Sequence, residues 1–148
     1  PTLSEVIAIL RGRTILQIEL KGLGAEELVV ELLKAENMVR DVVLTSFRHE
    51  AVKKAKTLEP RLRTGVLFAC APITPSRLGL DAEADNLHPN IGWVTRSMVE
   101  DAHRNGLKVY VWNADTSQVA EKMLKLGVDA IGTNRLDITL PIIRQRRS

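Results

Sequence analysis

Short apolar segments alternate with amphipathic helical segments along the whole chain, and this alternation constrains the fold more than any other feature. Each apolar segment has the length of one strand and is followed by a helix or a helical connection. The predicted strands cover residues 14–21, 42–46, 64–69, 84–87, 109–112 and 128–132. A repeated strand–helix–strand order predicts an α/β fold, with a parallel sheet and helices on its outside.

Local capping signals support the helices between these strands. Thr2 and Glu5 form a capping box before the apolar stripe of the first helix. Gly106 closes a helix near residues 95–105, and Gly127 closes the helix that begins at Thr116 or Ser117. Further helices are predicted after residue 25, over residues 48–58, near residues 78–83, and close to the end of the chain.

Two architectures fit this pattern: an open doubly wound sheet, or consecutive units of a (β/α)8 barrel. In both, functional residues gather at the carboxyl ends of the strands. The predicted ends hold polar and aromatic residues, among them Glu19, Lys21, Phe47, His88 and Trp112. The chain has no G-x-G-x-x-G and no G-x-x-x-x-G-K-[ST] sequence, which argues against the nucleotide-binding folds. We therefore expect a pocket with a charged floor and an apolar wall.

The first strand carries a carboxylate and an ammonium two residues apart. Successive side chains of a strand point to opposite faces. One face is predicted to hold Leu16, Ile18 and Leu20, and the other Gln17, Glu19 and Lys21. If helices cover the apolar face, the polar row lines a barrel mouth, a cleft or open solvent. An exposed edge strand with outward charges is the simpler interpretation of this row alone.

The composition of the 148 residues is typical of one globular domain, predicted here over residues 1–148. No apolar run is long enough to cross a membrane, and the first residues do not have the charged-then-apolar pattern of a signal segment, so none is expected. The single cysteine, Cys70, predicts a reducing, cytoplasmic location and a buried structural thiol. The basic residues from Arg144 to Arg147 are interpreted as a solvated helix end. Few aromatic residues are available to stack bases, so we expect no nucleic-acid partner.

Several motifs resemble the glycerophosphodiester phosphodiesterase family, and they occur in the order of that family. Residues 1–6 resemble its P-T-L-x-E-[VL] helix entry, and residues 18–21 its I-E-[IL]-K strand. Residues 45–47 are similar to its S-F strand end. Residues 106–112 and 127–134 resemble its closing pattern, G-x-x-V-x-x-W and then G-V-D-[GA]-I-x-[TS]-[DN]. Each motif alone is weak, but together they span nearly the whole chain and are specific.

The resemblance implies a (β/α)8 barrel that hydrolyses glycerophosphodiesters to glycerol 3-phosphate and an alcohol with a divalent cation. It implies that Glu19 is a carboxylate ligand of magnesium or calcium and that Lys21 is a catalytic residue that contacts the phosphate oxygens. Trp112 and Phe47 would form the apolar wall beside the glycerol or the leaving alcohol. The chemistry is consistent, because a cation polarises the phosphoryl group and an ammonium offsets charge on its oxygens.

The three histidines are further candidate site residues, and the sequence departs from the family motifs at two places. His88 lies at a predicted strand end and is a candidate for substrate contact, whereas His49 and His103 lie on helices and are interpreted as structural. Where members of the family often read W-T-V-N, residues 112–115 read Trp-Asn-Ala-Asp. Leu136 stands where proline is common, a minor change at a helix entry.

The motifs expected at the start of the family barrel are absent from these residues. They are H-R-G, P-E-N-T and E-x-D, together with a further histidine, so two acid–base histidines and two of three metal carboxylates are missing. The sequence therefore predicts an incomplete barrel of about six parallel strands with outer helices. The first units could have been lost by cleavage, they could be supplied by another chain, or a shortened gene product could lack the chemistry.

An incomplete barrel leaves two strand edges unpaired, which predicts a homo-oligomer or an association with the missing N-terminal barrel fragment. The alternative to an enzyme is a non-catalytic half-barrel that binds phosphate or oligomerises, and it follows from the missing histidines and carboxylates. A third interpretation is an unrelated barrel or open-sheet enzyme that acts on phosphorylated metabolites.

Overall fold

The computed structural model describes residues 1–145, and its centre is one sheet of six parallel strands. The strands follow one another in chain order, so the first and the last lie at the two edges of the sheet. They are β1 (Leu16–Glu19), β2 (Val42–Ser46), β3 (Arg63–Phe68), β4 (Asn86–Pro89), β5 (Lys108–Val111) and β6 (Ala130–Ile131). The predicted parallel sheet is confirmed, since each neighbouring pair of strands is parallel.

A helix precedes β1, and a helix follows each strand. The helices are α1 (Leu3–Leu10), α2 (Ala25–Ala35), α3 (His49–Leu58), α4 (Pro75–Asp81), α5 (Arg96–Arg104), α6 (Ser117–Leu126) and α7 (Leu136–Gln145). Thr2 and Glu5 form the predicted capping box, and Thr116 caps α6 through Val119 N–H. Gly127 ends α6 with a φ of 88°, a left-handed conformation that glycine adopts without strain.

The core lies between the helices and the outer face of the sheet. One cluster joins α1 and α2 to the first strands and is centred on Ile7, Leu33 and Leu44. The second joins α4, α5 and α6 to β3, β4 and β5 and includes Leu87 and Met123. Because the helices cover this face, the strand residues that alternate with the core point to the inside of the curled sheet.

Three strands differ from their predicted bounds by two residues at one or both ends: β1 and β6 are shorter than the predicted residues 14–21 and 128–132, and β4, expected over residues 84–87, begins and ends two residues later. Ala84 is buried but lies before the paired region, where the Asp85 carboxylate accepts the backbone N–H of Thr64 at 2.7 Å. At the other end the pairing continues, because the Pro89 carbonyl accepts the backbone N–H of Trp112. The strand therefore includes His88 and Pro89.

The prediction for Cys70 is wrong, because the thiol is exposed rather than buried. The strand ends two residues earlier, at Phe68, whose carbonyl accepts the backbone N–H of Asn90 at 2.9 Å. Beyond this hydrogen bond the chain leaves the sheet, so Cys70 lies in a loop although its sequence neighbours are apolar.

Two further predictions concern the ends and the length of the helices. Arg144 lies exposed in the last turn of α7, whereas Arg146 and Arg147 lie outside the described residues. Among residues 1–145, no helix combines the length and the apolar character that a bilayer crossing demands.

Candidate active site

Glu19 and Lys21 lie together at the carboxyl end of β1. Lys21 Nζ is 3.7 Å from Glu19 Oε2, and both residues are exposed on the face away from the core. Leu20, between them, is buried on the helix side, so the predicted division of this strand into two faces is confirmed. The carboxylate and the ammonium face the inside of the curled sheet, where both can reach a ligand.

Hydrogen bonds to β2 fix the end of β1. The Leu20 N–H donates to the Thr45 carbonyl at 2.7 Å, and Ser46 Oγ donates to the Leu20 carbonyl at 2.8 Å. Ser46 is fully buried, and its oxygen also accepts the backbone N–H of Arg48. These contacts hold the backbone around Glu19 and Lys21 in a defined position.

Phe47 and Trp112 form an aromatic pair close to this end of the sheet. Their ring centroids are 5.7 Å apart and the rings are nearly perpendicular, the edge-to-face geometry that aromatic pairs favour. Trp112 Nε1 donates to the His88 carbonyl at 2.8 Å, which fixes the indole. Since Glu19 pairs with Thr45, the register places Lys21 beside Phe47. The structure thus brings the predicted charged and aromatic residues to one side of the mouth.

His88 contributes its backbone to this arrangement, while its side chain is buried inside the curled sheet. The residue is 1% exposed, and its ring lies against Tyr110 with centroids 5.1 Å apart. Nε2 has no hydrogen-bond partner among the described residues. Burial lowers the pKa of the imidazole to about 4 from 6.5, so the ring is neutral at physiological pH. Its predicted contact with substrate stays a prediction.

Gly65 leaves the space that the His88 ring occupies. An added Cβ at residue 65 would lie 2.4 Å from both Cδ2 and Nε2 of the imidazole. Gly65 lies on β3 and His88 on the neighbouring strand β4, in a register that pairs Leu67 with His88. A side chain at residue 65 would therefore displace the ring of His88, the residue whose backbone carbonyl accepts the hydrogen bond from Trp112.

Asp115 connects the segment after Trp112 to the end of β6, a role that sequence reasoning missed. Its carboxylate accepts the backbone N–H of Asn134 at 2.7 Å, the Asn134 amide at 2.9 Å and the Thr133 hydroxyl at 3.0 Å. The hydrogen bonds from Asn134 hold the pKa of this carboxyl below its ordinary value. The only available signal was the departure from the family pattern at residues 112–115.

Glu26 is a buried carboxylate that the sequence did not indicate. It lies in the first turn of α2, where an acidic residue suits the helix dipole, and yet it is 2% exposed. Its carboxylate accepts a hydrogen bond from Arg48 Nη2 at 3.1 Å, and Arg48 Nη1 donates to the Gly22 carbonyl at 2.9 Å. This partly buried ion pair joins the connection after β1 to the connection after β2, next to the candidate site.

The other two histidines make contacts away from the mouth. His49 Nε2 is 2.9 Å from the Leu67 carbonyl, and His103 Nε2 is 2.8 Å from Asp129 Oδ2. These contacts join helices to the sheet, which agrees with their interpretation as structural residues.

The described residues do not form a complete metal site. Within residues 1–145, no group of three or more histidine, cysteine, aspartate or glutamate side chains is arranged to hold an ion. Glu19 is the carboxylate that faces the mouth from β1, and magnesium or calcium needs several oxygen ligands. This chain alone therefore does not fit the expected cation.

The fold and these residues define a half-barrel α/β protein with a carboxylate–ammonium pair and an aromatic wall at the carboxyl ends of its strands. The family model described as "Glycerophosphoryl diester phosphodiesterase family" matches residues 1–138. The chain belongs to the glycerophosphoryl diester phosphodiesterase family, and the resemblance found in the sequence is confirmed.

Known relatives show the same relationship in sequence and structure. A glycerophosphodiester phosphodiesterase of Caldanaerobacter subterraneus subsp. tengcongensis is 32% identical over 151 residues, and the match covers 98% of this chain and 62% of the relative. A structure from Galdieria sulphuraria, provisionally assigned as a glycerophosphodiester phosphodiesterase, superposes with a TM-score of 0.88 at 25% identity, covering 97% of this chain and 64% of that one.

A phosphodiesterase of Oleispira antarctica was solved with the product sn-glycerol 3-phosphate. It superposes with a TM-score of 0.79 at 24% identity, covering 100% of this chain and 62% of that chain. These likenesses confirm the predicted fold, an incomplete (β/α)8 barrel. The chain spans about three fifths of the length of the relatives it matches.

Proposed function

We propose that the complete protein hydrolyses glycerophosphodiesters to glycerol 3-phosphate and an alcohol, and that this chain supplies one side of the active site. Membership of the family and the relative solved with sn-glycerol 3-phosphate support the reaction. The observation that carries the proposal is the adjacent pair Glu19 and Lys21 at the mouth of the half-barrel. A carboxylate beside an ammonium suits a phosphodiester with a bound cation.

In this proposal Lys21 binds the non-bridging phosphate oxygens and offsets the charge that develops on them. Its side chain is 78% exposed, so the ammonium is free to move from Glu19 to a ligand. Phe47 and Trp112 exclude water on one side and contact the glycerol or the carbon chain of the leaving alcohol. The backbone of His88 orients the indole, and we propose that its ring supports the floor of this pocket.

A divalent cation, magnesium or calcium, belongs to the proposal for the complete barrel. Glu19 is the carboxylate that this chain would contribute, and the remaining oxygen ligands must come from outside the described residues. The location of the protein in the cytoplasm remains a prediction that rests on cysteine usage, and cell fractionation tests it.

Replacing Glu19 by Gln should abolish most of the activity of a complete barrel. A suitable protein is a chimera in which the segment of the Caldanaerobacter relative that precedes the matched region is joined to Pro1. The measurement is release of glycerol 3-phosphate from glycerophosphocholine with magnesium or calcium. We expect Glu19→Gln to lower kcat/KM by about 100-fold or more, because the amide carries no charge for the cation.

Glu27→Gln is the matched control, since Glu27 is an exposed carboxylate that pairs with Lys54 on the outer helices. It should leave the rate unchanged. Equal rates for the parent chimera and Glu19→Gln would contradict the role of Glu19. An inactive chimera, combined with a rise in the Tm of the 148-residue chain on adding inorganic phosphate, would favour the non-catalytic binding module.

We also propose that the open edges of the sheet associate, with a second copy or with the N-terminal part of a barrel. Within residues 1–145, β1 and β6 each pair with a neighbouring strand on one side only. Large exposed apolar side chains flank both edges: Ile9 and Ile15 before β1, and Leu136 and Leu140 after β6. An unpaired strand edge with apolar neighbours favours association.

Light scattering should therefore give the 148-residue chain a mass above that of the monomer. Ile15→Lys combined with Leu136→Lys should shift it towards the monomer, because charges at an edge oppose pairing. Leu80→Lys, at an exposed apolar residue of α4 away from both edges, is the control. A monomeric parent chain would contradict self-association and leave the N-terminal fragment as the partner to test by mixing.

A further inference from the structure

The backbone that carries Lys21 lies beyond the end of β1. The strand ends at Glu19, and past it the Leu20 N–H still donates to the Thr45 carbonyl at 2.7 Å. Residues 21–24 then form the connection to α2. The Lys21 side chain is 78% exposed, with its ammonium 3.7 Å from Glu19 Oε2. The point from which this ammonium reaches a ligand is therefore set by the backbone of the connection.

The two carbonyl groups that flank Lys21 are both held by side chains at the end of β2 or just after it. Ser46 Oγ donates to the Leu20 carbonyl at 2.8 Å, and Arg48 Nη1 donates to the Gly22 carbonyl at 2.9 Å. The two donors are linked, since the backbone N–H of Arg48 donates to Ser46 Oγ at 3.0 Å. One short segment thus holds the backbone on both sides of Lys21.

The Arg48 guanidinium also holds the far end of this connection. Nη2 donates to Glu26 Oε1 at 3.1 Å, in the first turn of α2, so one planar group binds both Gly22 and Glu26. Glu26 is 2% exposed, and a buried carboxylate is little screened by solvent. The other cation near it, Lys54, is 4.0 Å from Oε2 and pairs at 2.9 Å with the exposed Glu27. We name Arg48 and Glu26 the loop clamp.

The contacts of Arg48 direct it to the loop and not to a ligand. Both of its terminal nitrogens are engaged, one with the Gly22 carbonyl and one with Glu26. Arginine would bind a phosphate through these same N–H groups. Its side chain is 35% exposed, whereas that of Lys21 is 78% exposed. Lys21 is therefore the cation that reaches the mouth, and Arg48 acts through it.

We propose that Arg48 and Glu26 are positioning residues for Lys21. The loop clamp fixes the connection after β1 in one conformation, from which the ammonium leaves Glu19 and meets the phosphate oxygens. The inference rests on the proposed function and deepens it, because it assigns the residues that place the phosphate-binding group. Placement matters to a reaction of this kind, since an error of about 1 Å can lower a rate by about 100-fold.

Backbone amide relaxation, measured by NMR on the 148-residue chain, tests the loop clamp without any hydrolysis. The Lys21 amide of the parent should be rigid, with an order parameter of about 0.85. Arg48→Lys keeps a positive charge beside Glu26 but has one nitrogen in place of two, so the order parameter of Lys21 should fall towards about 0.6. Arg77→Lys, at an exposed arginine of α4, is the control. A mobile Lys21 in the parent, or an equally rigid one in Arg48→Lys, overturns the proposal.

A double-mutant cycle in the chimera separates positioning from general stabilisation. Arg48→Lys should lower kcat about tenfold when Lys21 is present, and by less than about twofold in a Lys21→Met background. A purely structural role, or a direct contact of Arg48 with substrate, would lower kcat equally in both backgrounds and overturns the proposal. A Lys21→Met chimera with the parent rate would overturn the proposed role of Lys21 itself. The relaxation experiment reports the clamp separately, so the two failures are distinguishable.

The neighbouring carboxylates Glu26 and Glu27 provide a matched pair of variants. Both lie in the first turn of α2, but Glu27 is exposed and pairs with Lys54. Glu26→Gln should lower kcat by about threefold to tenfold, because the amide accepts a hydrogen bond from Arg48 but carries no charge to hold it. Glu27→Gln should keep the parent rate. Equal rates for the two variants would show that the buried carboxylate does not act on the site.

Discussion

Between pH 6.5 and pH 4 the free energy of unfolding should fall by about 3 kcal/mol because of His88 alone. The folded chain holds this ring buried and neutral, with a pKa of about 4, whereas the unfolded chain binds a proton near pH 6.5. In this window the unfolded state therefore binds more protons than the folded state. The stability that the neutral His88 ring contributes is fully present above pH 6.5. It is lost as the pH falls and is gone below about pH 4.

Denaturant titrations at a series of pH values measure this effect, with an expected slope near about 1.4 kcal/mol per pH unit inside the window. His88→Leu should remove the slope whatever its effect on absolute stability. His103→Gln, at an exposed histidine, is the control and should keep it. Carboxylates with lowered pKa, such as Glu59 and Asp115, protonate in the unfolded chain near 4.5 and 3.8, so they affect only the acid end. A flat profile for the parent chain would show that His88 is hydrated in solution.

Most of the fold could be predicted because its signals are local. The capping box at Thr2 and Glu5 and the terminal glycine at Gly127 set helix boundaries through contacts within a few residues. Alternation along β1 predicted which side chains face the core. The errors arose where a distant strand decides the outcome: β4 continues to Pro89 because of β5, and Cys70 is exposed because pairing with β4 stops at Phe68.

The candidate site was predictable only in part. Glu19 and Lys21 share a face because they are two residues apart on a strand, which the sequence shows directly. Phe47 and Trp112 are far apart in the chain; the strand-end pattern and the family resemblance placed both at the mouth, but neither predicted that their rings touch. The links made by Asp115 depend on side-chain positions across two strands and have no signal of their own in the sequence.

The burial of Glu26 is another feature that could not be predicted from the sequence. Two consecutive acidic residues at a helix start look alike in sequence, since both suit the helix dipole. The structure separates them: Glu27 is exposed and pairs with Lys54, whereas Glu26 is buried and pairs with Arg48 from the next connection. Which of the two is buried depends on how α2 is rotated against β1 and β2, and that rotation is set by packing of the whole layer.

Replacing Gly65 by Ala should destabilise the chain by about 1–3 kcal/mol, although alanine is usually the better residue within a strand. The added methyl group would lie 2.4 Å from two atoms of the His88 ring, so this buried ring must move to admit it. Gly22→Ala is the control, because a Cβ there meets nothing nearer than 3.8 Å and the backbone is not left-handed. Gly22→Ala should change the free energy of unfolding by no more than about 0.5 kcal/mol.

A double-mutant cycle decides whether the His88 ring is the cause of the cost at residue 65. In a His88→Ala background the methyl group enters the space that the ring has left, so Gly65→Ala should become neutral or stabilising. The expected coupling between the two residues is about 1–3 kcal/mol, measured as free energies of unfolding in denaturant. An equal cost in both backgrounds would mean that backbone strain, and not the imidazole, opposes a side chain at residue 65. Because the His88 carbonyl holds Trp112, Gly65→Ala should also change the fluorescence of Trp112 in a Trp93→Phe background, which connects the packing of β3 to the aromatic wall of the site.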